Sequence, residues 1–257
     1  MSTTSALALA VVVPVHNETE NLAPLIGEIH AALEGRTEFE IVYVDDGSSD
    51  ETPHLLAALA AKHPQLRVFR HLNNCGQSTA VRTGVRQARA PLVATLDGDG
   101  QNDPADIPAL LEKYRAERAL DPRPLLIAGQ RAKRRDTTVR RLSSRIANGV
   151  RSRLLNDATP DTGCGLKLFA REDFLALPFF DHLHRFLPAL FIREGGRVVS
   201  VHVNHRPRER GQSHYGVWNR LWVGIVDIAG VLWLKRRGKV PVVVPVPPQQ
   251  GESSRGT

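Results

Sequence analysis

The chain has 257 residues, 42% hydrophobic and 24% charged, which is enough for one large or two small domains around a substantial core. Its 34 Lys and Arg outweigh 27 Asp and Glu; the net +7 favours an anionic partner such as nucleic acid, a nucleotide, a phospholipid surface or a phosphorylated substrate. Cys75 and Cys164 are the only cysteines, which excludes a disulfide framework and a thiolate zinc site and fits a reduced, cytosolic setting.

In chain order, "ALAVVVPV" (8–15) reads as a first strand. No basic residue precedes this run and it continues straight into "HNETEN", so it is not a signal-peptide core. Leu22, Leu25, Ile26, Ile29 and Leu33 then recur at helical spacing up to Gly35. "FEIVYVDD" is a second strand, with a helix around "HLLAALAAKH"; "LRVFRHL" is a third, followed by the helix "STAVRTGVRQA". "PLVATLD" is a fourth and "PLLIAGQR" (124–131) a fifth. Strands separated by helices predict βαβ units: an α/β fold, mostly parallel, with helices on both sheet faces. Ligands of such sheets bind beyond the strand carboxyl ends, where "VPVHNE", "VDDGSSD" and "LDGDGQ" all fall.

Asp97 and Asp99, one residue apart with Gly98 and Gly100 beside them, can share a hard cation that neutralises a diphosphate. Three other readings compete. An EF-hand loop starting at Asp97 would need glycine and glutamate where Asn102 and Pro108 stand. An aspartate-nucleophile phosphatase carries Asp-x-Asp on its first strand rather than its fourth. An ordinary acidic turn accounts for the motif alone, but not for Asp45 and Asp46 ending the second strand alongside it.

Taken in order, "VVVPVHNE", "VDDGSSDET", "NCGQSTAVRTG", "LDGDGQNDP", "AGQR", "RRLSSRIAN" and "DTGCGLKLF" resemble family 2 glycosyltransferases of GT-A fold. The resemblance spans about residues 9–215 and is closest to the dolichol-phosphate mannosyltransferase and undecaprenyl-phosphate glycosyltransferase branch. It implies that Pro14, His16, Glu18, Asp46, Gly76, Gln77 and Asp97 bind the nucleotide of a sugar donor. It also implies that Asp97, Asp99 and Gln101 surround Mg²⁺ or Mn²⁺, with Asp99 the main ligand.

From Arg131 to Arg153, nine basic residues face one acid, Asp136. The span lacks the aromatic residues that single-strand nucleic-acid binders stack on, so no nucleic-acid partner is expected. The resemblance instead assigns Arg131, Arg140 and Ser144 to the phosphate of a polyprenyl-phosphate acceptor. Arg140 and Ser144, four apart, share a helical face. Arg206, Arg208 and Ser213, in "NHRPRERGQSHY" (204–215), match a loop that closes over donor and acceptor. Asp99, Arg131 and Arg206 are the implied catalytic set. Because a phosphate acceptor is already ionised, the absence of an obvious catalytic histidine is no objection; His182 and His184 read as packed residues or as donor-pocket residues.

Residues 217–239 hold three tryptophans, an apolar middle interrupted by Asp227 and a basic end, too short an apolar run to span a bilayer. They read as a packed terminal helix or as an interfacial one lying on anionic lipid. The expected organisation is a catalytic domain over 1–215, an amphipathic membrane-surface helix over 216–240 and a disordered tail over 241–257. The expected enzyme transfers a hexose to a polyprenyl phosphate at the cytoplasmic face of the membrane, with a second copy of the chain, in a homo-oligomer, among its candidate partners. A same-fold enzyme with a saccharide or protein acceptor, and a non-catalytic binder of anionic lipid or nucleic acid, are the rivals.

Overall fold

The computed structural model describes residues 6–131, 153–157, 159–207 and 217–241, of which 217–223 are described by backbone alone. Its centre is a seven-stranded sheet in the order β3-β2-β1-β4-β6-β5-β7. The strands are β1 (Leu9–Val15), β2 (Phe39–Asp45), β3 (Leu66–Arg70), β4 (Leu92–Thr95), β5 (Leu125–Arg131), β6 (Lys167–Ala170) and β7 (Arg197–Val203). β1 pairs in parallel with β2 and β4, as do β2 with β3 and β5 with β7. Only β6 runs antiparallel, wedged between β4 and β5. The expected α/β fold with a mostly parallel sheet is the observed one.

β1 shows why the sheet is central. All seven of its residues are buried: Leu9, Val11, Val13 and Val15 enter one core, Ala10 and Val12 the other. A strand apolar on both faces must be covered on both. Helices α1 (Thr19–Leu33), α2 (Thr52–Ala60), α3 (Gln77–Gln87) and α4 (Ile107–Leu120) supply that cover. α1 buries the predicted stripe of Leu22, Leu25, Ile26, Ile29 and Leu33, and the chain leaves it through Gly35 in the left-handed region. α2 starts where the Asp50 carboxylate accepts from the Thr52 N–H, and Pro53 occupies the first turn, where its missing N–H costs nothing.

β6 and β7 were not foreseen among the strands. β6 is only four residues long and lies inside the "DTGCGLKLF" motif; β7 is mostly part-buried at a sheet edge, so its apolar alternation is blurred. Two short helices, α5 (Arg171–Leu175) and α6 (Leu187–Arg193), precede the C-terminal α7 (Val217–Arg237). α7 sends Val231 into the second core, with Ile228, Leu232 and Leu234 packed against it. No helix among the described residues is long and apolar enough to cross a membrane.

Candidate active site

The parallel register brings the ends of β1, β2 and β4 to one edge, and hydrogen bonds lace their loops together. His16 Nδ1 lies 2.9 Å from the Asp46 carbonyl, and the Asn17 N–H donates to Ser48 Oγ at 2.9 Å. The Glu18 N–H donates to Thr52 Oγ1 at 3.1 Å, while Glu18 Oε2 accepts from Asn21 at 2.6 Å. Burial would raise the Asp50 carboxyl, but hydrogen bonds from Thr19 and Thr52 hold it below the usual carboxylate range. Pro14 does not belong to this loop. It is a buried β1 residue opposite Val44, so it shapes the site from beneath and offers no surface to a nucleotide.

Asp46 is 4% exposed, and both its oxygens are engaged. Oδ1 accepts from the Cys75 N–H at 2.9 Å and contacts His71 Nδ1 at 2.7 Å; Oδ2 accepts from the Gly76 N–H at 2.8 Å. Its visible work is to anchor the turn that starts α3, and a base or ribose would have to share an occupied carboxylate. His71, absent from the sequence-based set, steadies Asp46 while its Nε2 meets Thr83 Oγ1 at 2.9 Å.

Asp97 and Asp99 stand just past β4. Gly98 is obligatory there, because a Cβ would meet Val15 Cγ1 at 2.4 Å. The Gln77 amide donates to Asp97 Oδ1 at 2.8 Å, and buried Asn102 accepts from the Asp97 N–H at 3.1 Å. Loss of hydration, then repulsion from Asp99, pushes the Asp97 carboxyl up to about 6 against the pull of Lys167 and Arg131. Asp99 Oδ1 accepts from the Gln101 N–H at 3.1 Å and lines a cleft of about 120 Å³ with Asn21, Glu28, Gly100 and Arg206. Neither aspartate forms an ion pair within 4.0 Å among the described residues. A like-charged oxygen pair, raised in energy by its own repulsion and flanked by an amide, suits a hard divalent cation.

Beneath the pair lies a layer that sequence reasoning missed. Lys167 is buried on β6, its Nζ donating to the Cys164 carbonyl. Burial lowers its ammonium below the ordinary lysine value although Cys164, Asp97 and Asp161 favour its charge. A lysine inside the apolar "LKLF" run was the available signal. Gly165 forms the floor: a Cβ there would lie 2.2 Å from Asp97 Oδ2.

The two arginines assigned to acceptor phosphate are otherwise committed. Arg131 Nε and Nη2 bind the two Asp161 oxygens at 2.6 and 2.7 Å. Burial works against its charge, but the Asp161 pair more than offsets this and its pKa is raised. Arg206 Nη1 binds both Glu28 oxygens at 2.8 and 2.9 Å, and its Nη2 lies 2.6 Å from Asp103 Oδ1. A phosphate would have to displace carboxylates from both, so neither is a free phosphate fork as drawn from the sequence. The Arg206 N–H also donates to the Gln101 carbonyl at 3.0 Å, stitching this loop to the acidic turn. Arg140, Ser144, Arg208 and Ser213 lie outside the described residues. His184 is packed, its Nδ1 2.7 Å from Ser78 Oγ, and His182 Nδ1 meets Asp227 of α7.

The profile described as "Glycosyl transferase family 2" matches residues 10–177, a span that contains every strand end just described up to β6. The chain belongs to glycosyltransferase family 2. Among relatives of this glycosyltransferase, the dodecaprenyl-phosphate galacturonate synthase of Rhizobium johnstonii is 33% identical over 236 residues, 90% of this chain and 68% of that protein. The undecaprenyl-phosphate 4-deoxy-4-formamido-L-arabinose transferase of Edwardsiella ictaluri is 35% identical over 212 residues, 81% of this chain and 63% of that one. The chain therefore spans roughly two thirds of the length of either relative. In fold it is similar to glucosyl-3-phosphoglycerate synthase from Mycobacterium tuberculosis, solved with Mn²⁺, UDP and glucosyl-3-phosphoglycerate. The TM-score is 0.64 at 17% identity, over 92% of this chain and 82% of that one. The fold of this glycosyltransferase is thus of the GT-A type.

Proposed function

We propose that this glycosyltransferase moves a glycosyl unit from a nucleotide-diphosphate sugar to a polyprenyl phosphate, with inversion, at the cytoplasmic face of a membrane. The observation that carries the donor half is the Asp97–Asp99 pair at the carboxyl end of β4, bonded through Gln77 to the turn that Asp46 anchors. The acceptor half rests on the relatives, both named for polyprenyl-phosphate substrates, and on the basic span 131–153.

Asp99, with Asp97 and Gln101 beside it, would hold Mg²⁺ or Mn²⁺, which when bound offsets negative charge on a diphosphate. The protein's own share is positioning and electrostatics. Lys167 sets positive charge under Asp97, and the Asp46–Gly76–Gln77 turn walls the nucleotide. An acceptor phosphate oxygen attacks the anomeric carbon while the bond from that carbon to the diphosphate oxygen breaks; the electron pair leaves with the nucleoside diphosphate. No proton need be removed from an ionised phosphate, so no general base is required. Since Arg131 and Arg206 are paired with carboxylates, Arg140 and its neighbours are the acceptor-phosphate groups in this reading.

Membrane attachment is supported by α7. Its inner face meets the core, while Ile225, Val226 and Trp233 are exposed and Arg236, Arg237 and Lys239 follow at the end. That pairing of apolar surface and positive charge suits an anionic interface. The deciding experiment presents UDP- and GDP-sugars with Mg²⁺ or Mn²⁺ and undecaprenyl phosphate in anionic liposomes, and follows labelled sugar into lipid. Transfer to lipid phosphate that falls in Arg140→Ala, while donor binding measured calorimetrically is spared, is the expected result. Transfer only to soluble saccharides, with a rate limb tracing a single base near neutrality, would replace the acceptor.

A further inference from the structure

The turn Cys75–Gln77 that walls the nucleotide is also gripped from the far side. Gly76 and Cys75 donate to Asp46, and Gln77 donates to Asp97. The next residue, Ser78, is fully buried, and its Oγ receives two contacts from one residue: the His184 N–H at 3.2 Å and His184 Nδ1 at 2.7 Å. Two residues back, His182 Nδ1 lies 3.0 Å from Asp227 Oδ2 on the inner face of α7, an ion-pair contact in which Oδ2 lacks hydrogen-bond geometry to any described residue. Just before it, Asp181 Oδ1 accepts from the His182 N–H at 2.7 Å and sits 3.4 Å from where a Cβ on Gly76 would project. The segment 181–184 therefore bridges α7 and the first turn of α3.

Two features of that bridge are costly. His182 holds φ at 62°, a left-handed conformation that few side chains adopt without strain. Asp227 is a carboxyl on a helix face otherwise given to Ile228, Val231 and Leu234; burial raises its pKa although His182 favours its charge. An apolar residue at 227 would extend that packing at lower cost. Both costly groups meet in one contact, and their neighbours Asp181 and His184 adjoin Gly76 and Ser78 at the start of α3.

We propose that Asp227 and His182 are positioning residues for the donor site, through which α7 holds the first turn of α3 in place for nucleotide binding. The helix that faces the lipid is then also a structural part of the nucleotide pocket. The donor role of that turn rests on the function proposed above; the mechanical coupling does not.

The test uses the full chain. Amide hydrogen exchange over residues 75–80, without ligand, is compared in wild type, Asp227→Ala, Asp227→Asn and His182→Asn, the last keeping a residue that tolerates a left-handed backbone. Exchange should quicken about three- to tenfold in Asp227→Ala and His182→Asn, the effect of one lost polar contact. Asp227→Asn, which keeps a polar oxygen beside His182, should recover part of the protection. Titration with UDP and with GDP, each with Mn²⁺, should show weaker binding in the same order, read at a temperature well below each variant's melting point. Asp227→Ala and Ser78→Ala should also combine less than multiplicatively. Unchanged exchange in both Asp227→Ala and His182→Asn, or fully multiplicative effects, would overturn the proposal. If Asp227→Ala does not fold, His182→Asn decides alone. Failure of wild type to bind either nucleotide would refute the donor reading and leave the brace to be judged by exchange.

Discussion

At the scale of single residues, charge and space decide the behaviour of the acidic turn. Asp99 lines the cleft and, among the described residues, accepts the Gln101 N–H on Oδ1, whereas Asp97 is bonded by Gln77 and Asn102. Asp99→Asn should therefore leave the fold intact and weaken Mn²⁺-dependent nucleotide binding by at least about tenfold, since even outer-shell changes cost metal sites that much. Calorimetry with and without chelator measures it; equal affinity in both proteins would remove Asp99 from the metal role. Gly165→Ala would put a Cβ 2.2 Å from the Asp97 carboxylate, which must then turn away and give up its bond from Gln77. A loss of about 1–3 kcal/mol in denaturant unfolding is expected. His184 gives a pH signature: burial, then Arg185 and Lys167, lower its pKa well below the ordinary 6.5. A group depressed in the folded state binds fewer protons there than in the unfolded chain. Stability is then complete above about pH 6.5 and declines as pH falls from there toward the folded-state value. Melting curves between pH 7.5 and 5.5 (about the range where unfolded histidine titrates) should show this fall in wild type and a flatter one in His184→Gln.

At the scale of elements, α7 has two faces with separable tasks. Val231 is 0% exposed and Trp233 60%, so removing the whole helix would damage the core as well as any lipid contact. The outward face can be changed alone. Arg236→Ala with Arg237→Ala should cost about 2 kcal/mol of binding to anionic liposomes, at about 1 kcal/mol for each basic residue, or roughly 30-fold in partitioning. Ile225→Ser with Trp233→Ser should weaken binding that high salt does not abolish, because apolar burial is not screened. Flotation assays read both, with melting temperature as the control for packing. A full chain that stays in solution with anionic liposomes at low salt would return the outer face to an ordinary surface or an oligomer contact.

At the scale of the whole molecule, the +7 charge is unevenly used. Several arginines are paired with carboxylates across elements: Arg67 with Glu40, Arg197 with Glu117, and the two assigned from the sequence to acceptor phosphate, Arg131 with Asp161 and Arg206 with Glu28 and Asp103. Such long-range pairs tie distant elements together instead of meeting a ligand. In the proposed reading, the remaining basic residues of the span 131–153 and the exposed Arg236, Arg237 and Lys239 at the end of α7 are the ones offered to an anionic surface. Both should dominate the salt dependence of association, whereas Arg67→Gln or Arg197→Gln should leave it unchanged.

The succession of the first five strands along the chain, the stripe on α1 and the gathering of "VPVHNE", "VDDGSSD" and "LDGDGQ" at one edge were legible in the sequence. Hydrophobic period and turn residues are local, and a parallel sheet places its strand ends together whatever else happens. The family was legible too, because its motifs recur in order. What the sequence could not settle is partnership. Whether Arg131 meets a phosphate or Asp161 depends on a residue thirty positions away that only β5–β6 pairing brings within 2.6 Å. Likewise nothing near Lys167 in the chain announces that it lies under Asp97, and nothing near Asp227 points to His182. These are contacts across elements, fixed by packing in a low-dielectric interior where each buried charge must find an opposite, and only the tertiary structure decides which opposite it finds.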